Sequence, residues 1–239
     1  MTATACTVEV GGQTLQLLPQ KAVFIATAST LLIADAHIGK AVSFRALGVP
    51  VPAGTTTENL ALISLLVARH QARRIIFLGD FLHSARSHAV ATMAAVSAWR
   101  EAQANLQITL VRGNHDDRAG DPAAHLRIDV VDEPLGLGGL ALCHHPQEIS
   151  GAYVLAGHLH PCVRLAGRGR DRLRLPCFWM RPHTGVLPAF GAFTGMAEVM
   201  QSAQDQVFAV AGDSVMAVAA STHAPAHRTS RLRPRLSPR

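Results

Sequence analysis

Five short groups of side chains that could bind metal ions occur between residues 35 and 160 of the chain. They are Asp35-x-His37, Gly79-Asp80, Gly113-Asn114-His115-Asp116, His144-His145 and Gly157-His158-x-His160. Any one of these groups alone is usually explained as a turn cap or a surface histidine. Carboxylate, amide and imidazole donors that recur in five successive loops are what a pair of divalent cations requires. The sequence therefore predicts a two-metal site.

Strands are the elements predicted to position these groups. Apolar runs end directly before the first three groups, at 30–34, 75–78 and 107–111. Helices are predicted at 55–70 and 87–104, and the first is expected to begin with a capping box formed by Thr55 and Glu58. Helices that join parallel strands bring the loops at the strands' carboxyl ends to one edge of the sheet. We therefore expect the groups to share one cleft.

The remaining pattern predicts a single domain of the α/β (α+β) class over residues 1–220. Further strands are predicted at 7–10, 14–18, 22–26, 137–143, 153–156, 163–165, 172–175, 207–211 and 214–219. Residues 221–239 contain five arginines and no acidic residue, and they carry almost no large apolar side chain. Such a tail cannot offset the entropy lost on ordering, so it is predicted to be disordered.

Composition gives weaker constraints. The formal net charge of +6 falls to +1 without the tail, so overall charge does not identify a partner. The four cysteines form no C-x-x-C pair, which argues against a zinc knuckle or a disulfide framework. We find no signal peptide and no apolar run near the ~20 residues that span a bilayer. The protein is therefore expected in the cytoplasm, with no membrane partner.

The five groups together resemble the motifs of the calcineurin-like metallophosphoesterases, over residues 30 to 160. The resemblance implies a sandwich of two mixed β-sheets flanked by helices, and phosphoester hydrolysis by in-line attack of a metal-bridging hydroxide. It also implies two divalent metal ions, one held by Asp35, His37, Asp80 and His160, the other by Asp80, Asn114, His144 and His158. Manganese is expected, although iron, zinc or others would fit the same donors.

Four further residues have expected roles at this site. The resemblance implies that His115 stabilises the transition state or protonates the leaving oxygen, and Asp116 is expected to orient its imidazole. His83 is either a further catalytic residue, as in the repair nucleases of the superfamily, or a histidine that begins a helix. His145 is expected to lie beside the metals or the substrate.

Three other segments resemble one subfamily, the DNA ligase-associated metallophosphoesterases (PdeM). The segments are 32–40, 44–55 and 187–195, and the resemblance extends over about 17–218. It implies a manganese-dependent phosphodiesterase or endonuclease in bacterial DNA repair. The implied partners are DNA, an ATP-dependent DNA ligase, a helicase and an exonuclease. Two alternatives stay open: a phosphoesterase acting on nucleotides or cyclic nucleotides, and a non-catalytic module of a ligase–helicase assembly.

An arginine-rich segment at 162–184 has a local charge excess of +5. Arg172 and Arg174 alternate with leucines at period two, which predicts a hairpin with guanidinium groups on one face and packed leucines on the other. That face would suit a nucleic-acid backbone, with solvated arginine as the equally weighted alternative. The apolar segment 187–193 is interpreted either as core or as the interface of a homodimer.

Overall fold

The computed structural model describes residues 4–52, 54–166 and 172–219. The basic tail and the tip of the predicted arginine hairpin lie outside these ranges. Within them the chain forms two β-sheets and four α-helices. The helices are α1 (Lys40–Ala46), α2 (Thr55–His70), α3 (Val90–Ala102) and α4 (Asn114–Ala119).

The first sheet holds seven strands in the order in which they occur along the chain. They are β1 (Cys6–Val10), β2 (Gln13–Leu18), β3 (Ala22–Ile25), β4 (Thr30–Ile33), β5 (Arg74–Leu78), β6 (Gln107–Val111) and β7 (Asp129–Val131). Neighbours from β1 to β4 are antiparallel, and neighbours from β4 to β7 are parallel. The parallel pairs need crossovers, which α1 with α2, then α3, and then α4 supply.

The second sheet is also mixed. Its strands are β8 (Leu135–Leu137), β9 (Leu140–Leu142), β10 (Tyr153–Ala156), β11 (Pro161–Ala166), β12 (Arg172–Met180), β13 (Thr184–Val186), β14 (Ala197–Glu198), β15 (Gln206–Ala211) and β16 (Ser214–Val218). At its centre β9, β10 and β13 run parallel. β12 is antiparallel to β11, β13 and β15. The predicted sandwich of two mixed sheets with flanking helices is confirmed.

The central strands of the first sheet are buried on both faces. Ile33 and Phe77 belong to the core shared with α2 and α3, whereas their neighbours Leu32, Ile76 and Leu78 belong to the core between the sheets. Because side chains alternate along a strand, each strand anchors both cores. Each fully buried side chain of this size contributes roughly 1.5–3 kcal/mol. The loops that follow these strands therefore start from rigid positions.

Several local predictions need correction. Helix α2 has the predicted bounds, but the Thr55 capping box is wrong: Gly54 is the N-cap, at φ +90°, and the Thr55 hydroxyl donates to the Pro52 carbonyl at 3.2 Å. The strand predicted at 137–143 is the β8–β9 hairpin, because the chain turns at Gly138. The helix predicted at 87–104 begins at residue 90, after a short 3₁₀ turn.

The apolar segment 187–193 is mostly core. Leu187 and Phe190 are fully or almost fully buried, and only Phe193 is half exposed. Burial of this segment thus favours its interpretation as core and not as an interface, and the homodimer stays an untested prediction.

Every helix within the described ranges is too short or too polar to cross a bilayer.

Candidate metal centre

The predicted ligand groups meet where the two sheets adjoin. Asp35 and Asp80 follow β4 and β5 of the first sheet, whereas His144 and His158 follow β9 and β10 of the second. The His158 backbone N–H donates to the Asp35 carboxylate at 2.9 Å, which joins the loops of the two sheets directly. All of the predicted metal-binding residues therefore lie around one cleft, at the carboxyl ends of parallel strands in both sheets.

The loops of the first sheet remain paired beyond their strands. The backbone N–H of His37 donates to the Asp80 carbonyl at 2.8 Å, and that of Ile38 donates to the Phe81 carbonyl at 2.7 Å. The carboxylate of Asp80 accepts the backbone N–H of His115 at 2.9 Å. These bonds fix three ligand groups relative to each other.

Five of the predicted ligands adopt a left-handed backbone conformation. Their φ values range from +46° to +69°, at Asp35, His37, Asp80, His158 and His160. Such a conformation costs on the order of 1–3 kcal/mol for a residue with a side chain, and it persists only where the surrounding structure enforces it. Five of the ten left-handed non-glycine residues within the described ranges are thus predicted ligands.

The glycines of the motifs leave room for the ligands. A Cβ atom on Gly79 would lie 2.1 Å from Nδ1 of His144, and one on Gly113 would lie 2.4 Å from Oδ1 of Asp80. A Cβ atom on Gly157 would lie 2.6 Å from Oδ2 of Asp35. Only glycine permits these approaches, because any other residue would displace the ligand.

Backbone carbonyls set the tautomers of three histidines. The Nδ1 atoms of His115, His144 and His160 lie 2.6, 3.1 and 3.0 Å from the carbonyl oxygens of His83, Leu78 and Gly195, respectively. Since a carbonyl can only accept, each Nδ1 carries a proton. Nε2 of His144 and His160 can therefore present a lone pair to a metal, and Nε2 of His115 is left to exchange a proton. Metal-ligating histidines are held in this way.

These lone pairs face other electron-rich atoms. Nε2 of His144 lies 3.0 Å from Oδ1 of Asn114 and 3.5 Å from Oδ1 of Asp80. Nε2 of His160 lies 3.3 Å from Oδ1 of Asp35. Four of these buried donor atoms have no hydrogen-bond partner among the described residues. They are Oδ1 of Asp35, Nε2 of His160 and both ring nitrogens of His37. Cations between the donors would satisfy them, so the residues fit divalent metals.

The donors fall into overlapping sets. Asp35, His37 and His160 converge as expected for one metal, and Asp35, Asp80 and His144 also converge. His158 joins His144, whose Nε2 lies 3.1 Å from the His158 Nδ1. His145 converges with the same pair. The two predicted ligand sets are thus adjacent, with Asp80 and Asp35 between them, and divalent metal binding is the chemistry that this arrangement serves.

His83 and His115 form a separate group with His37, apart from the group that His37 forms with Asp35 and His160. Their rings stack with centroids 4.9 Å apart, and the His115 Nε2 lies 3.9 Å from Oδ2 of Asp80. Burial, followed by the charges of Lys40 and His115, lowers the pKa of His83 to about 4. Burial is also the largest cause that lowers the pKa of His37. The rings of His83 and His37 are therefore neutral near pH 7 and available as electron-pair donors.

The expected role of Asp116 is wrong. Its carboxylate accepts the backbone N–H groups of Leu82 at 2.9 Å and Gly113 at 3.0 Å, and it makes no bond with the His115 imidazole. The imidazole is oriented by the His83 carbonyl instead. Asp116 is fully buried and fastens the loop after β5 to the loop after β6. It is a positioning residue.

Sequence reasoning missed Glu133. Its carboxylate accepts the backbone N–H groups of His144 at 2.7 Å and His145 at 2.9 Å, and it lies 3.0 Å from the His145 Nδ1. These bonds hold the turn that presents both imidazoles. Nothing in the sequence indicated it, because Glu133 stands alone after β7 in no recurring pattern.

Lys40 was also not singled out as a site residue. Its ammonium lies 3.5 Å from the Thr194 hydroxyl and 5.7 Å from the Phe44 ring centroid. Burial lowers the pKa of Lys40, while the nearby carboxylates of Asp35 and Asp80 raise it. The spacing of three residues after His37 on the loop into α1 could have indicated a cation at this cleft.

The arginine strands lie to one side of the centre. Arg174 pairs in register with Arg164 and donates to the Met196 carbonyl at 2.5 Å. Arg172 is exposed. The expectation that the leucines pack on the opposite face is wrong for Leu173, which is 58% exposed. Contact of Arg172 and Arg174 with substrate stays a prediction.

Comparison with solved structures finds a match with substantial sequence identity. The crystal structure of Pseudomonas putida nuclease MPE superposes with a TM-score of 0.80 and 43% identity, covering 90% of this chain and 100% of that chain. Yfce, a phosphoesterase from E. coli, matches with a TM-score of 0.42 and 16% identity, covering 78% of this chain and 95% of that one. A predicted phosphoesterase from Streptococcus pneumoniae matches with a TM-score of 0.30 and 13% identity over 75% and 80% of the chains. No protein-family model and no curated protein matches.

The donor sets and the match to a solved nuclease over that protein's full length agree with the motifs in the sequence. The chain belongs to the calcineurin-like metallophosphoesterases, and it is a metal-dependent phosphoester hydrolase.

Proposed function

We propose that the protein is a manganese-dependent phosphodiesterase that cleaves DNA. The observation that carries the substrate is the 43% identity to a solved nuclease, which spans that nuclease completely. The chemistry is supported by the buried donors of Asp35, His37 and His160, which have no partner within the described ranges.

Two divalent cations would be held by the donors already described. Asp35, His37, Asp80 and His160 would hold one, and Asp80, Asn114, His144 and His158 the other. When bound, such ions supply an activated water and neutralise charge on phosphoryl oxygens. Asp80 is suited to the shared position because its carboxylate is 2% exposed and lies within 4 Å of three imidazoles.

His115 is the proposed proton donor to the leaving oxygen, to which its imidazolium form would pass the Nε2 proton. Its Nδ1 is committed to the His83 carbonyl at 2.6 Å, so only Nε2 can exchange a proton with substrate. The side chain is 30% exposed, whereas that of His144 is fully buried. A partly exposed imidazole at the rim can reach a substrate oxygen, which the buried imidazoles cannot do. General acid catalysis of this kind contributes roughly 10²–10⁴-fold in rate.

Lys40 is the proposed contact for a non-bridging phosphoryl oxygen. Its ammonium is held near the cleft by Thr194 at 3.5 Å and by the face of the Phe44 ring. A cation at this position would attract the anionic diester and favour the charge that develops in the transition state.

From the resemblance to the ligase-associated subfamily, we further propose a role in cytoplasmic DNA repair. The proposed partners are an ATP-dependent DNA ligase, a helicase and an exonuclease. Exposed Arg172 is the proposed contact with the DNA backbone outside the cleft. The Arg174 guanidinium is engaged with Met196, so we expect it to contribute less.

The test measures hydrolysis of bis(para-nitrophenyl) phosphate and of the corresponding monoester. It then measures cleavage of single-stranded, nicked and flapped DNA. With Mn²⁺ we expect turnover of the diester and cleavage of at least one DNA. The variant His115→Ala should lower kcat on the diester by roughly 10²–10⁴-fold while it still binds metal. His125→Ala is a matched control, since His125 is exposed and, among the described residues, its imidazole forms a hydrogen bond with Ser97 alone.

Three results would contradict parts of the proposal. Turnover of small diesters without cleavage of any DNA would favour a nucleotide phosphoesterase. Absence of turnover with every divalent metal, in protein that binds those metals, would favour a non-catalytic module of a repair assembly. An equal loss in His115→Ala and His125→Ala would remove His115 from catalysis.

A further inference from the structure

A small cavity opens beside the metal centre. Its volume is about 190 Å³, and His160 lines it together with Lys21, Pro161, Pro176, Phe193 and Met196. Sites for whole small molecules usually have about 300–1,000 Å³. This cavity therefore suits a small planar part of a ligand whose remainder lies elsewhere. Because His160 belongs to both the cavity and the metal centre, the remainder would lie at the metals.

Phe193 is the aromatic wall of the cavity. Its side chain is 50% exposed, and its backbone is left-handed at φ +56°. A bulky residue in that conformation is uncommon and indicates strain that the surroundings maintain. An exposed phenyl ring on a strained loop is not explained by packing, since Phe190 three residues earlier supplies the core contact.

The loop that carries Phe193 is fixed by contacts of the three residues that follow it. The Gly195 carbonyl accepts from His160 at 3.0 Å, and the Met196 carbonyl accepts from Arg174 at 2.5 Å. The Thr194 hydroxyl contacts Lys40 at 3.5 Å. The backbone that carries the phenyl ring is therefore already ordered beside the metal centre, which reduces the entropic cost when a ligand binds.

Lys21 provides a charge in this cavity. Its ammonium donates to the Phe190 carbonyl at 2.7 Å, the one acceptor that it contacts among the described residues. An ammonium has three N–H donors, so further acceptors can be bound. Lysine pairs well with ring nitrogens and carbonyl oxygens of nucleobases. The cavity thus combines an aromatic face with a hydrogen-bond donor.

We propose that this cavity binds the base of the nucleotide whose phosphate lies at the metal centre. The base would stack on Phe193 and present an acceptor to Lys21. This inference rests on the proposed function, in that the substrate is built from nucleotides. Stacking on an aromatic side chain tolerates every base, so the cavity would favour nucleotides over other phosphoesters without selecting a sequence.

The test compares binding of thymidine 5′-monophosphate and methyl phosphate to the full chain with Mn²⁺, by calorimetry. We expect the nucleotide to bind about 5- to 150-fold more tightly, the range that one stacked base supplies. Phe193→Asn removes the ring but keeps a residue that tolerates the left-handed backbone, and it should bring the ratio of the two dissociation constants toward one. Phe193→Tyr should keep the ratio of the original protein.

Val90→Ala is the control, because Val90 is 87% exposed and does not line the cavity. Its ratio should equal that of the original protein. Equal dissociation constants for both ligands, or a ratio that Phe193→Asn leaves unchanged, would overturn the inference. A Phe193-dependent ratio in a protein that hydrolyses no diester would support the base-binding cavity while the proposed function fails.

Discussion

The substitution Gly79→Ala tests whether the glycines exist to admit the metal ligands. A Cβ atom there would lie 2.1 Å from Nδ1 of His144, and the backbone is left-handed at φ +76°. Gly12 offers a matched control, since it has φ +70° and nothing within 4 Å of an added Cβ. Gly12→Ala therefore incurs the backbone strain alone, whereas Gly79→Ala incurs the strain and also the displacement of His144.

The magnitudes follow from these two terms. Left-handed backbone costs an alanine about 1–2 kcal/mol, which sets the expected destabilisation of Gly12→Ala. At position 79 the displaced imidazole also loses its bond to the Leu78 carbonyl, and overpacking adds roughly 1–3 kcal/mol. We expect Gly79→Ala to lower the free energy of unfolding by about 3–6 kcal/mol. That loss leaves a folded protein if the starting stability lies in the upper part of the usual ~5–15 kcal/mol.

The assay is urea unfolding with and without Mn²⁺, with circular dichroism to verify folding. At a metal concentration of 100 times Kd, the original protein and Gly12→Ala should each gain about 2.7 kcal/mol for each metal site. Gly79→Ala should gain much less, because His144 can no longer reach its position. If folded Gly79→Ala gains as much as Gly12→Ala, then His144 is not a metal ligand and the argument from close approach is refuted.

Three further predictions concern residues around the centre. Glu133→Gln should weaken metal affinity by about 10–100-fold, measured by competition with a chelator, because it loosens the turn that presents the ligand His144; unchanged affinity would contradict this. Asp116→Ala should lower unfolding free energy by about 2–6 kcal/mol, since two buried N–H groups lose their acceptor; a loss below 1 kcal/mol would exclude a fastening role. Burial lowers the pKa of Lys21 to about 8, against 10.5 in the unfolded chain. The unfolded state thus binds more protons between these values, and stability attributable to this residue should rise from pH 8 to 10.5. Urea unfolding of Lys21→Met should lack that rise, and an identical profile would refute it.

Much of the fold was accessible from the sequence because its central strands are buried on both faces. Such strands appear as short continuous apolar runs, and the runs ending at Ile33, Leu78 and Val111 placed three ligand groups correctly at one edge. Helix α2 was predicted for a related reason, since its apolar residues repeat over four turns. By contrast, α1 and α4 have 7 and 6 residues, which is too short for a periodic signal.

The parts that could not be predicted depend on contacts between distant segments. Asp116 follows His115 directly, so the sequence suggested that they interact, but the chain turns its carboxylate toward the amides of Leu82 and Gly113. Glu133 acts on the turn at residues 144–145, which only the folded sheets bring near. The sequence likewise predicted that Arg174 contacts substrate, but it could not indicate the hydrogen bond from Arg174 to the Met196 carbonyl. Side-chain partners of this kind are set by tertiary structure.

The bond from the His158 amide to Asp35 joins two segments that lie far apart along the chain. Both carboxylate ligands come from the amino-terminal half, and the later segment adds imidazoles only. Neither piece by itself could therefore assemble a complete coordination sphere. During synthesis the protein must be made through His160, and its two halves must dock, before cofactor can be retained. Loading with metal should consequently be a late event in maturation, one that completes the folded enzyme.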